Sequence, residues 1–199
     1  MKIIIIEGTD NVGKDTIINR LQQEFINCAV IHCERPPVAT PKEMALYQQN
    51  EFIHLMGNTL YQYIAYTALN VGDTFGLIHN RSWYGEYVYG CMYRENDDKF
   101  VKHMIRSLET ALINSIKPDD LYFITLLSDN MEFLSRNEDG LSISRGEIDN
   151  MYKETERFKD IHNYSLIKNK HIVYVNNGTN FRPHDEIYNE ILSFINKNG

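Results

Sequence analysis

Seven residues near the N-terminus have types and spacing that could do chemistry together. Gly8-Thr9-Asp10-Asn11-Val12-Gly13-Lys14 reads G-x-x-x-x-G-K. It follows the β-branched run Ile3–Ile6 and opens an apolar-periodic stretch. Strand, glycine-bounded loop and helix in that order make a phosphate-binding loop. Gly8 and Gly13 admit backbone angles that a Cβ would forbid. Successive N–H groups can then turn inward as a nest for phosphate oxygens. The positive end of the following helix points to the same place. Lys14 adds a mobile cation for the terminal phosphates. The candidate phosphate-binding set is therefore Gly8, Asn11, Val12, Gly13, Lys14, Asp15 and Thr16. An ordinary βα turn with a chance Gly-Lys is the alternative, and the flanking strand and helix argue against it. One position departs from the usual motif, which places Ser or Thr after the lysine as a magnesium ligand. Asp15 stands there, so it meets the metal, directly or through water, or metal is handled differently.

The other candidates are cations just beyond strands. Arg35, in Glu34-Arg35-Pro36-Pro37, follows the second strand and is either a ligand contact or a solvated loop residue. Arg81, in Asn80-Arg81-Ser82, follows the third and leads into the aromatic stretch Trp83 to Arg94, which also carries Glu86. That density of aromatic and charged residues after a strand favours a substrate role for Arg81 over a structural ion pair. Seven histidines show no metal spacing, and no Ser-His-Asp or Cys-His arrangement can be argued. The cysteines, Cys28, Cys33 and Cys91, are odd in number and lack a C-x-x-C pair, which disfavours disulfide and zinc readings.

These residues need a frame. Besides the first strand, Cys28–Cys33, Thr74–His79, Leu121–Leu127 and His171–Val175 read as strands. Helices are expected over Lys14–Phe25, Pro41–Leu69, Lys99–Ile116, Asn130–Arg136, Glu147–Leu166 and Pro183–Ile195. Asp129-x-x-Glu132 reads as a capping box. The helix Pro41–Leu69 is rich in Gln, Asn, Tyr and His and could line a base or sugar pocket, or simply cover the core. The stripe of Val101, Met104, Ile105, Leu108 and Leu112 suits core or a subunit interface. The polar segment Asn137–Gly146 contains Gly140, Gly146 and Arg145 and reads as a flap, giving a lid at about 136–150. Strands alternating with helices imply an α/β fold, a five-stranded parallel sheet with helices on both faces. In such a sheet the carboxyl ends of the strands carry the site.

Composition sets limits. The chain has 199 residues, 43% hydrophobic and 24% charged, which fits one soluble domain over 1–199. A formal net charge of −7 excludes a general nucleic-acid binder, so an anionic substrate needs a local cluster of cations and backbone amides. The Ile3–Ile6 run is too short for a signal or membrane segment, and a cytoplasmic protein is expected.

Taken in order, these motifs resemble the thymidylate kinase family of nucleoside monophosphate kinases, through most of the chain. Ile6 to Lys14 looks like that family's loop, including the acidic Asp10. Glu34-Arg35-Pro36-Pro37 resembles its segment after strand two, and Asn80-Arg81-Ser82 with Tyr89 its Asp-Arg-aromatic and Ala-Tyr-Gln region. Pro118-Asp119, Asp129 to Arg136 and the flap with Arg145 fit too. The Gly-Lys-Asp-Thr ending is similar to phage deoxynucleoside monophosphate kinases. The resemblance implies a P-loop NTPase fold and transfer of the ATP γ-phosphoryl group to a deoxynucleoside monophosphate with Mg2+. It implies that Lys14 and the loop amides hold ATP phosphates, that Asp10 touches the acceptor's sugar and that Arg35 binds its phosphate. Arg81 would bridge toward the transferred group, with Arg136 and Arg145 bringing charge from the lid. Tyr89 and Glu86 would contact substrate, and a homodimer is implied. Asn80 stands where the family has aspartate and Gly90 where it has glutamine. No arginine lies between Arg35 and Arg81, so the base-reading arginine is missing. Two rivals stand beside this reading. A deoxynucleoside kinase would need a carboxylate base, for which Glu7 is placed. A catalytically inactive nucleotide-binding module is favoured by Asp15 and Asn80.

Overall fold

β1 (Lys2–Gly8) lies at the centre of a five-stranded sheet and is buried along its whole length. The computed structural model describes residues 1–33, 40–70, 75–136, 142, 144 and 146–197. Around β1 run β2 (Asn27–His32), β3 (Phe75–Asn80), β4 (Leu121–Leu127) and β5 (Asn169–Tyr174) in the order β2-β3-β1-β4-β5. Every neighbouring pair is parallel. Such pairs need crossovers, and α1 (Lys14–Leu21), α2 (Pro41–Ala68), α4 (Asp98–Ser115) and α6 (Ile148–Tyr164) supply them. A π-helical turn, Glu86–Gly90, leads into α3 (Cys91–Tyr93). α5 (Met131–Arg136) follows β4. A short antiparallel ribbon of β6 (Asn176–Asn177) and β7 (Asn180–Phe181) precedes α7 (His184–Lys197).

The four isoleucines show why both faces are covered. Side chains alternate along a strand. Ile3 and Ile5 join one core with Phe52 and Leu55 of α2, Ile105 of α4 and Phe158 of α6. Ile4 and Ile6 join a second core with Ile17 and Leu21 of α1 and Ile191 of α7. By the same alternation Glu7 falls on the side of Ile3 and Ile5. The parallel α/β sheet expected from sequence is therefore present.

Several expectations shift in detail. α1 ends at Leu21 and tightens into a 3-10 turn, Gln22–Glu24, rather than running to Phe25. Phe25 instead lies against β3, so close that a Cβ on Gly76 would come 2.6 Å from its Cδ2. The capping box at Asp129 does not form. Asn130 caps α5 by accepting from Phe133 N at 3.0 Å, while Asp129 accepts from Asn176. A capping box does open α2, where Thr40 and Glu43 exchange side-chain and backbone contacts. On α4, Val101, Ile105, Leu108 and Leu112 are buried core, and Met104 packs half-buried against it. That helix also buries Glu109, which accepts from Tyr84 Oη at 2.6 Å, Leu166 N at 3.0 Å and Ser165. The three cysteines are free thiols. No helix among the described residues is long and apolar enough to cross a membrane.

Candidate active site

Register explains how distant residues meet. β1 pairs with β3 so that Ile6 lies beside Asn80, which brings the loop after β1 next to Arg81 and Ser82. The β1 and β3 exits form the edge where an open α/β sheet places its ligand. Gly8, with φ +148, ends β1 against β4, and a Cβ there would lie 2.0 Å from the Leu126 carbonyl oxygen. Asn11 and Gly13 take positive φ as well, which curls the loop. Gly13 is the N-cap of α1 and, lacking a side chain, makes no side-chain hydrogen bond to the helix's first-turn amides.

Lys14 is folded back. Its Nζ donates to the carbonyl oxygens of Gly8 at 3.0 Å and Thr9 at 2.5 Å. Burial, with Arg81 nearby, pushes its ammonium down to about 8. A cation buried at such a cost is poised to exchange two carbonyls for a stronger anion. Arg81 adopts φ +68, unusual for a non-glycine residue, with its N–H donating to Ile6 O at 3.1 Å. Its guanidinium meets Asp10 Oδ1 at 2.7 Å. The two residues expected to touch different parts of one substrate are thus paired with each other.

Glu7 is buried beneath this pair. Its Oε1 accepts from Ser82 N at 2.7 Å and Ser82 Oγ at 2.8 Å. Desolvation pushes the carboxyl up to about 7, with Ser82, Lys14 and Arg81 pulling it back. Asn80 Nδ2 donates to Asp15 Oδ1 at 2.7 Å, linking β3 to α1. Tyr89 is buried, stacked on Tyr93 and edge-on to Phe158, and burial pushes its phenol well above the usual range. Thr9 Oγ1, Asn80 Oδ1 and Tyr89 Oη are buried without a hydrogen-bond partner among the described residues. Unpaired buried polar atoms are scarce in folded proteins. These three, of six such atoms among the described residues, lie at or beyond the carboxyl ends of β1 and β3.

Other candidates land differently. Glu86 is buried and committed to Arg94 at 2.6 Å and to Asn96. Gly90 makes room for this, since a Cβ there would come 2.3 Å from Glu86 Oε1. Val12 is buried and Thr16 exposed. Arg136 is exposed at the end of α5. Ser135 Oγ donates to Gly146 O at 2.9 Å, tying together the two ends of the lid segment. Arg35 and Arg145 lie outside the described residues, as does most of the expected lid. Of the four tyrosines of α2, Tyr63 and Tyr66 are structural, and Tyr47 and Tyr61 are exposed. Tyr63 bonds Asp120 and Lys117 N, and Tyr66 stacks on Phe75. Sequence reasoning missed Ser82 and Thr9 as members of the site. It also missed His184, whose Cε1 would lie 3.6 Å from a Cβ on Gly13. Ser82 and His184 are brought in by long-range contacts, for which no local signal exists, whereas Thr9 lies within the loop motif itself.

No protein-family model and no curated protein sequence matches the chain. Solved structures match it in fold. The YorR protein of Bacillus subtilis, solved in complex with phosphorylated GDP, aligns at TM-score 0.61 and 15% identity, over 98% of this chain and 96% of that one. Thymidylate kinase from Candida albicans aligns at TM-score 0.63 and 18% identity, over 99% and 92%. Thymidylate kinase from Ehrlichia chaffeensis aligns at 0.52 and 13%, over 96% and 97%. The chain has the thymidylate kinase-like P-loop fold.

Proposed function

We propose that this chain is an ATP-dependent kinase that phosphorylates a deoxynucleoside monophosphate. One observation carries the reading: the Ile6–Asn80 register sets the phosphate loop with Lys14 beside Arg81 and Asp10 on one sheet edge. Loop amides and Lys14 receive the ATP phosphates, and Lys14 leaves the Gly8 and Thr9 carbonyls to do so. Arg81 leaves Asp10 for the acceptor phosphate, and Asp10 then accepts from the acceptor's sugar. An acceptor phosphate oxygen forms a bond to the γ-phosphorus while the bond to the β,γ-bridging oxygen breaks, releasing ADP. Such a reaction needs positioning and cations around developing charge, with little covalent work by the protein. Arg35, Arg136 and Arg145 are the further cations proposed for that charge. Tyr89 and Glu86 are proposed to shape the acceptor pocket, Tyr89 with its unpaired hydroxyl and Glu86 through its hold on Arg94. Asp15, exposed in the first turn of α1, is proposed to hold magnesium, which when bound neutralises phosphate charge. We further propose a cytoplasmic homodimer, with its contact on α2 rather than on α4.

A second reading has one observation in its favour. Glu7, held near neutrality beside Lys14 and Arg81, has the chemistry of a base for a nucleoside hydroxyl. A coupled assay of ADP release separates the readings, using ATP, magnesium, and a panel of nucleosides and their monophosphates. Turnover with one or a few deoxynucleoside monophosphates is expected, and Lys14→Met lowers it by about 100-fold or more. Turnover with nucleosides alone would make Glu7 the base. Silence across the panel with ATP still bound would leave a nucleotide-binding module.

A further inference from the structure

In phosphate-loop enzymes the metal accompanying the nucleotide is held by a hydroxyl from the loop and a carboxylate from a neighbouring strand. Here the residue after Lys14 is Asp15, and the residue closing β3 is Asn80. The two touch, with Asn80 Nδ2 donating to Asp15 Oδ1 at 2.7 Å. A carboxylate only accepts, so the amide's Nδ2 must face it and Oδ1 is left over. Asn80 is 5% exposed, and this Oδ1 has no partner among the described residues. Asp15 is exposed, and Asn80 provides its one hydrogen bond among the described residues.

We infer that Asp15 and Asn80 are an exchanged pair: the cation-binding carboxylate has moved from the end of β3 to the first turn of α1, and Asn80 is its positioning residue. The inference rests on the phosphoryl-transfer reading above. Electrostatics requires the exchange to be reciprocal. Two carboxylates in hydrogen-bond contact repel, and one of them holds a proton. A hydroxyl facing an amide would leave the cation no charge. One carboxylate facing one neutral polar group keeps the charge count of the usual arrangement. Among the described residues no group of three or more His, Cys, Asp or Glu is suited to a metal. A cation here therefore takes most of its shell from phosphate oxygens and water, as magnesium does. The unpaired Asn80 Oδ1 is then available to accept from a water of that shell, which accounts for a buried acceptor left open.

The test uses Mn2+ as probe, with free ion read by electron paramagnetic resonance and ADP as nucleotide. Wild type is expected to bind Mn2+ far more tightly with ADP than without. Asp15→Ser and the charge-only variant Asp15→Asn should each lose about 10-fold or more of that ADP-dependent affinity. In chelator each should bind ADP more tightly than wild type, because it removes a negative charge from beside the phosphates. Asn80→Asp alone should also lose, through repulsion. The double variant D15S/N80D, which restores the usual arrangement, should regain wild-type Mn2+ affinity within about 3-fold. A merely structural tie predicts lower melting temperatures with Mn2+ binding unmoved, and that result would overturn the pair. So would failure of the folded double variant to recover. ADP binding that ignores Mn2+ overturns the pair alone, whereas absence of ADP binding overturns the phosphate-loop reading with it.

Discussion

Burial holds the Glu7 carboxyl at about 7, against 4.5 for an ordinary glutamate, and the sign of that displacement decides its effect on stability. Between those values the unfolded chain has released the proton while the native state keeps it. Stability from Glu7 therefore falls as pH rises through that window and stays low above it, by ~3 kcal/mol. His79 and His162, pushed down by burial from 6.5 to about 4, act in the opposite sense. Their contribution is lost as pH falls through that range, so the whole-protein curve hides Glu7. Glu7→Gln keeps an acceptor for Ser82 N without the charge. Its stability minus that of wild type, from urea melts, should grow between pH 5 and 7 and then level off. A difference that is flat with pH would show that burial does not set the Glu7 charge. Lys14 carries a comparable penalty, present below pH 8. The site holds two ionisable groups out of water, each at a cost in stability that the proposed function accounts for.

Glycine does different work in different elements, and two of them make a controlled comparison. At Gly8 a Cβ would meet the Leu126 carbonyl at 2.0 Å with φ at +148, so β1 and β4 must part at their carboxyl ends. Gly57, midway along α2, has nothing within 4 Å of its Cβ position. Gly8→Ala should destabilise by about 3 kcal/mol or more, and Gly57→Ala, in the dissociated chain, should be neutral or stabilising by about 0.5–1 kcal/mol, both read from chemical melts at protein concentrations low enough to dissociate a dimer. Comparable losses at the two positions would contradict the strand approach. The strands were legible in sequence because a period of 2 or an unbroken apolar run survives any register. The contacts that build the site were not, because they depend on register. Glu7 meets Ser82 only because Ile6 pairs with Asn80. The α5 cap fell on Asn130 rather than Asp129 because either side chain can cap and the choice was made by Asn176. The α4 stripe showed that one face was apolar but not what would cover it. Glu109 on that face is satisfied by Tyr84, Ser165 and Leu166, partners far away in sequence.

At the scale of the molecule, α2 carries the surface least like that of an isolated monomer. Leu46, Ile53, Tyr61 and Ile64 are all more than half exposed, and at helical spacing they share one face with Gly57. From Met44 to Ala68 the only Asp, Glu, Lys or Arg is Glu51, off that face. An uncharged stripe centred on a glycine is complementary to itself when a second copy runs antiparallel, with Ile53 against Tyr61. Sedimentation should give twice the 23.3 kDa chain mass, and Ile53→Glu with Ile64→Glu should return it to the chain mass without loss of fold. A wild type that sediments at the chain mass would remove the dimer. The ion pair between Asp10 and Arg81 reaches further, into the cell's energy supply. ATP is always abundant, and an enzyme whose cations constantly faced its terminal phosphate would leak it to hydrolysis between turnovers. Here Asp10 holds the guanidinium until the acceptor supplies both a phosphate for Arg81 and a sugar hydroxyl for Asp10, so on the proposed reading the idle enzyme is a poor ATPase and its own acceptor switches it on.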